Sequence, residues 1–324
     1  MTIQQIYNLA VEMGVRADLR GATIVKKKLQ REKEKFKKLS EEQKKEFDLE
    51  KLINPYADTR IYFGDPKKIV KRVLAGIDIE TGEIMMARYL SQHENPIDLI
   101  IAHHPIGVGL AGLHEVVEMH TELLAKYGVP ITVAEGLTLP RVSEVSRSVS
   151  SANHNQAVDA ARILDMPIIS THTTCDNLVA NFLQEEIEKN KEKLERVEDV
   201  MNLLKKIPEY QEAMKIKAGP MLFAGSPDRY VGKIALTEIT GGTSGAKEIY
   251  EKMAQAGVGT VIGMHMREEW KKEAEKAHIN VVIAGHISSD SIGMNLFLDE
   301  LEKRGVEIIP CSGLIRIKRF KLKK

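Results

Sequence analysis

Short apolar runs of strand length alternate with segments of helical period along most of this chain, and they do so twice. The first passage runs from "IVKRVLAGIDI" through a helix predicted over 83–92 to "IDLIIAHH". The segment "LHEVVEMHTELLAKYG", closed by its glycine, reads as the next helix, and "VPITVAEG" as a strand over 131–134. Helix "NQAVDAARILD" and strand "MPIISTH" follow. The second passage repeats the order: "VGKIALTEI", "TGGTSG", "AKEIYEKMAQAG", "VGTVIGMH", "REEWKKEAEKA" and "INVVIAGH". Alternation at this spacing predicts parallel strands joined by helical crossovers, an α/β fold. The interval from Asp78 to His103 nearly equals that from Glu238 to His265. Strands 131–134 and 281–284 then take equivalent places, so the expected architecture is two duplicated α/β halves.

Charge marks what lies outside that pattern. Residues 25–50, "VKKKLQREKEKFKKLSEEQKKEFDLE", interleave Lys with Glu around a thin stripe of Leu29, Phe36, Leu39 and Phe47, which predicts a solvated helical hairpin. Residues 181–216 read as a second charged helical stretch, broken at Pro208. The expected organisation is an N-terminal half at 1–180, a charged helical insertion at 181–219 and a C-terminal half at 220–324. A net charge of +1 supplies no overall field for nucleic acid, so that partner is not expected, and the basic tail "RIKRFKLKK" reads as a solvated end. No apolar run approaches the roughly 20 residues of a membrane span. Two cysteines, Cys175 and Cys311, give no disulfide framework. With no basic and apolar leader in "MTIQQIYNLAVEMG", the expected setting is the cytoplasm.

The chemistry sits at strand ends, where open α/β sheets collect their ligands. Four predicted strands end in metal-ligand residue types: His103 and His104, His172 and Asp176, His265, and His286 with Asp290. Imidazole and carboxylate together suit divalent Zn, Fe, Mn or Co. Adjacent His103 and His104 point to opposite faces of an extended chain, which favours two ions, one per histidine; a turn at Pro105 would let both reach a single ion. His286 and Asp290, four residues apart, share a face if "ISSDSIGMNLFLDELEKRG" is helical. His93, His114, His120, His154 and His278 read as surface or packing residues, and Cys175 as a small apolar one. The "TGGTSG" segment reads as a tight strand-to-helix turn, with a phosphate cradle as the functional alternative.

Taken in order, "DLIIAHHP", "HTTCD", "GGTSG" and "AGHISSDS" resemble the signature segments of the Nif-three-like proteins, also known as GTP cyclohydrolase I type 2 homologues. The resemblance covers residues 65–180 and 220–318. It implies a duplicated α/β fold, a dinuclear metal centre and a ring of six copies. It also implies His103 and His104 as paired ligands, Asp176 as the bridging carboxylate and His286 as a late ligand, while His172 would orient a ligand. Two departures stand out. The family's Glu four residues after the late histidine is Asp290 here, one methylene shorter, so it would bind through a shifted backbone, through a water, or at only one ion. Where the family carries Thr-Gly-Glu, this chain reads "IGMH", which makes His265 an extra ligand or a catalytic substitute.

The expected function is that of a dinuclear metal-dependent hydrolase. A water bridging two divalent ions would attack a nucleotide, a phosphate ester or a cyclic amide-like substrate, with His265 or His172 relaying protons. The alternative is a non-catalytic metal-dependent protein serving regulation, metal handling or assembly. Expected partners are an unidentified small molecule and further copies of the same chain.

Overall fold

The computed structural model describes residues 1–93 and 96–321. Its strands form two sheets. The first holds β1 (Thr59–Phe63), β2 (Arg72–Gly76), β3 (Leu99–Ala102) and β4 (Ile168–Thr171); the second holds β5 (Met221–Ala224), β6 (Lys233–Glu238), β7 (Val258–Gly263) and β8 (Asn280–Ile283). β9 (Glu307–Cys311) returns to the first sheet beside β2. The orders are β1-β4-β3-β2-β9 and β5-β8-β7-β6. In each, three consecutive strands run parallel and the edge strand β1 or β5 is antiparallel. The expected duplication is therefore present as a repeated strand order, and the chain is mixed α/β.

The counterpart of β8 is β4, and not residues 131–134. That stretch is the first turn of a helix, Ile131–Val149. Its β-branched start resembles a strand, but the buried positions Ala134, Thr138, Arg141 and Val145 recur at helical spacing. Two of the four are polar, which hid the stripe. The predicted helix after residue 112 is also divided, into Leu113–Val117 and Met119–Lys126. Pro208 opens the helix Pro208–Lys215 and does not merely end its predecessor. The 181–219 segment is less solvated than its charge suggests: Val197, Val200, Leu204, Ile207 and Tyr210 are buried in a core shared with the second sheet. The hairpin forms from Ala22–Lys37 and Glu41–Glu46, with Phe36 and Phe47 in ring contact. The basic tail is only partly solvated over the described residues: Lys318 and Lys321 are exposed, but its arginines are paired. Arg316 pairs with Asp299 at 2.5 Å, and Arg319 with the fully buried Glu209; residues 322–324 lie outside the described ones.

Strand alternation fixes the layers. Val73, Ala75, Ile101 and Ile169 turn one way, onto Met294, Phe297 and Leu298 of the helix His286–Glu302 and onto Ile3 and Ile6 of the helix Ile3–Ala17. Leu74, Ile100 and Ile168 turn the other way, onto Ile84 and Ala161 of two outer helices. In the second sheet, Leu236, Ile262 and Val282 face Val179 and Leu183 of the helix His172–Asn190, while Val261 and Val281 face Tyr250, Met253 and Trp270. The 172–190 and 286–302 helices thus lie between the two sheets; the first begins directly at the carboxyl end of β4, the second after two intervening residues beyond that of β8.

These two helices touch through their backbones. A Cβ at Gly293 would stand 2.2 Å from the carbonyl oxygen of Cys175. Gly293→Ala therefore has to push the helices apart; it is expected to lower stability by about 1–3 kcal/mol, as overpacking does, read as a fall in denaturant midpoint.

Candidate metal centre

The parallel strands of both sheets deliver their carboxyl ends to one place. β3 ends into His103 and His104, whose backbone N–H groups donate to the carbonyls of Gly76 and Ile77 and so extend the strand pairing. β4 passes without a loop into the 172–190 helix, whose first residue is His172, and β8 reaches the 286–302 helix through Gly285. Gly285 has φ +111°, and a Cβ there would meet the carbonyl oxygen of Ala218 at 2.7 Å, so the turn that presents His286 requires glycine. Each helix then brings an aspartate back to the same side one turn later, as Asp176 and Asp290.

Six of the seven residues singled out in the sequence meet here. His103 Nε2 lies 3.4 Å from Asp176 Oδ1 and 3.4 Å from Asp290 Oδ1. The other oxygen of Asp290 faces His104 Nε2 at 3.4 Å and His286 Nε2 at 3.5 Å. His172 Nε2 lies 3.8 Å from Asp176 Oδ2. The carboxylate whose two oxygens divide the histidines into two groups is thus Asp290; Asp176 reaches His103 and His172. The shorter Asp290 gets this far because Gly293, one turn on, lets its helix lie against the backbone of the other. His265 stands at the rim, its ring 4.9 Å from that of His286 and its Nδ1 3.5 Å from Ser244 Oγ.

The separations fit cations better than hydrogen bonds. A charged imidazole–carboxylate bond is about 2.7–2.9 Å long. Ligands about 2.0–2.1 Å from a tetrahedral ion stand about 3.3–3.4 Å from one another, close to the spacing here. Both ring nitrogens of His103 and both oxygens of Asp290 are buried without a hydrogen-bond partner among the described residues. Burial disfavours the cationic form of His103, yet the charge of Asp290 and the hydrogen-bonding reach of Asp176 raise its pKa. Burial likewise opposes a charged His104, and Asp290 and Asp78 overcome it to hold its pKa at about 9. Burial works against a charged Asp290 as well, but His103 and His104 keep it well below the usual carboxylate range. The same carboxylates that favour a positive charge on these imidazoles would favour a bound cation.

Two residues of this arrangement escaped the sequence reading as members of the site. Asp78, just past β2, receives His104 Nδ1–H at 2.6 Å, and the fully buried Asp58 receives His172 Nδ1–H at 2.7 Å and the Thr173 hydroxyl at 2.6 Å. In each case the carboxylate fixes the tautomer that leaves Nε2 free to bind a metal. Asp78 at least follows a predicted strand; Asp58, in "YADTR", carries no local signal. Cys175 is buried against Thr171 and Met294, away from any pairing.

The model of the family Duf34/NIF3 (NGG1p interacting factor 3) matches residues 115–312, more than half of the chain. The chain belongs to the DUF34/NIF3 family. A NIF3 superfamily protein from Sphaerobacter thermophilus has a similar crystal structure, with TM-score 0.77 and 28% identity over 97% of this chain and 99% of that one. Reduced HcgD from Methanocaldococcus jannaschii shares the fold at TM-score 0.50 and 16% identity, over 83% of this chain and 94% of that one. Comparison with curated proteins gives no match. His103, His104, Asp58 and Asp78 lie upstream of the NIF3 family match and are joined to its His172, Asp176, His286 and Asp290 only by the fold.

The "TGGTSG" loop of this NIF3 protein roofs the cluster. A narrow hollow is bounded by Thr240, Gly242, Thr243 and Ser244 above and by His172, Asp176, His286 and Asp290 below, with Glu238 in its wall. Burial raises the Glu238 carboxyl to about 7, against the hydrogen bonds of Ser244 and the Gly245 amide. Since the folded protein holds that proton more tightly than the unfolded chain, stability falls as pH rises from 4.5 through 7. Glu238→Gln is expected to stabilise the protein at pH 8 by up to about 3 kcal/mol and to change little below pH 4.5, as measured by urea unfolding at the two pH values. Asp58→Asn leaves a folded chain with a divalent-metal affinity about 10–100-fold lower in chelator competition, because His172 loses its orienting carboxylate.

Proposed function

We propose that this chain is a dinuclear metal-dependent hydrolase. The observation that carries the reading is Asp290: a buried carboxylate with no hydrogen-bond partner among the described residues, one oxygen facing His103 and the other His104 and His286, at 3.4–3.5 Å. In this reading His103 and Asp176 hold one divalent ion, with His172 beside them. His104 and His286 hold the other, and Asp290 serves both. Zn, Fe, Mn and Co are all compatible with this donor set. When bound, such ions supply Lewis acidity and a water that is deprotonated near neutral pH.

The chain's own residues do the rest. Asp58 and Asp78 hold His172 and His104 in the metal-binding tautomer. The 240–245 loop narrows the approach and excludes bulk water. His265 is the group assigned to carry a proton between the reacting centre and solvent, because it stands at the exposed rim next to His286. A homo-oligomeric ring and a cytoplasmic setting belong to the same proposal. What is directly observed is that no helix among the described residues is long and apolar enough to cross a membrane.

The test is metal analysis of the purified protein, followed by a hydrolase panel on metal-loaded and chelated samples. Two ions per chain are expected; His104→Ala and Asp290→Ala should retain one or fewer and lose all hydrolysis. Hydrolysis that survives chelation excludes the mechanism. Two tightly held ions with no hydrolysis of any ester, amide or phosphate would favour the metal-handling alternative.

A further inference from the structure

The charge around the centre narrows the class of substrate it can take. Four carboxylates serve the histidines: Asp176 and Asp290 directly, Asp58 through His172 and Asp78 through His104. Two divalent cations bring four positive charges, so the loaded centre is balanced before any substrate or hydroxide arrives. No Lys or Arg among the described residues lines either hollow that opens on the cluster. The roof loop has no charge to lend. Its Thr243, Ser244 and Gly245 carbonyls are tied down by His120, Arg141 and Trp270. Its Ser244 hydroxyl and Gly245 amide are turned toward the buried Glu238 carboxyl. Arg141 is further committed to Glu144 at 2.9 Å.

A phosphate dianion needs surplus positive charge and charge-assisted donors to repay its dehydration. An uncharged carbonyl compound does not, because its oxygen gains negative charge only in the transition state, where the preorganised centre meets it. The second hollow fits the body of such a molecule. It encloses about 190 Å³, below the usual range for drug-sized ligands, between Asp78 and His104 on one side and Asn153 and Gln156 on the other, over an apolar floor that includes Ile79 and Leu110. Asp78 accepts from His104 and Glu80 from the Glu83 amide, and their remaining lone pairs on the rim can accept from N–H groups. Building on the hydrolase reading, we propose that the site takes a small, uncharged, N–H-bearing carbonyl substrate, an amide or cyclic amide, and not a nucleotide or phosphate ester.

The test uses the Co(II)-loaded protein and its visible absorption bands. Failure of Co(II) to produce such bands defeats the metal-centre reading itself, and this proposal with it. Once the bands form, the two claims separate. 2-Pyrrolidinone, an uncharged cyclic amide with a carbonyl and an N–H and no chelating anion, is expected to perturb them at a concentration about tenfold or more below that of inorganic phosphate. Asn153→Lys, which sets a cation on the rim, is expected to tighten phosphate about fivefold and to leave 2-pyrrolidinone within about twofold. Phosphate acting at an equal or lower concentration than 2-pyrrolidinone overturns the proposal while the metal centre stands. So does a response to neither probe, or faster turnover of p-nitrophenyl phosphate than of p-nitroacetanilide.

Discussion

The contact on which this molecule depends is the one between Gly293 and the carbonyl of Cys175, where two central helices meet with no side chain between them. Each helix is buried on both sides by a sheet, and each starts with a histidine at the end of a parallel strand. Bringing the helices to backbone contact brings His172 and Asp176 against His286 and Asp290. It also places both pairs at the end of β3, where His103 and His104 emerge. A larger residue at position 293 would separate Asp176 from Asp290, which share His103, while His172–Asp176 and His286–Asp290, each within one helix, would hold.

The cluster is costly to the protein. Buried imidazoles and carboxylates lose their hydration, and the 3.4–3.5 Å separations are too long to return it as strong hydrogen bonds. The carboxylates favour positive charge on His103 and His104, which offsets part of the mutual repulsion of the acids. Arrangements of this kind persist because binding a ligand recovers the cost, and a cation recovers more than a proton can.

The duplication is visible in strand order, yet the halves contribute unequally. The register aligns the end of β3 with the end of β7, so His103 and His104 correspond to Met264 and His265. The first half gives the cluster two histidines at that corner, while the second leaves one at the rim and supplies a roof loop instead. The long stretch between β3 and β4 has no equal in the second half, and it sends His120 and Arg141 across to hold that roof. The two halves are therefore one site divided between two sheets.

The sequence alone was enough to read the α/β class, the repeated alternation, and the strand ends at which His103, His104, His172 and His286 stand, because strand period and apolar runs are local properties. The spacing of His286 and Asp290 likewise needed only the helix that contains both. Residues 131–134 misread for the same local reason: a β-branched turn of helix looks like a strand until the register of its buried face is known. Tertiary structure alone decided which carboxylate divides the histidines, that Asp58 and Asp78 belong to the centre, and that the tail's Arg316 and Arg319 are paired. Those facts depend on segments more than a hundred residues apart in several cases, and on how closely two helices approach. No local pattern of side chains encodes that separation.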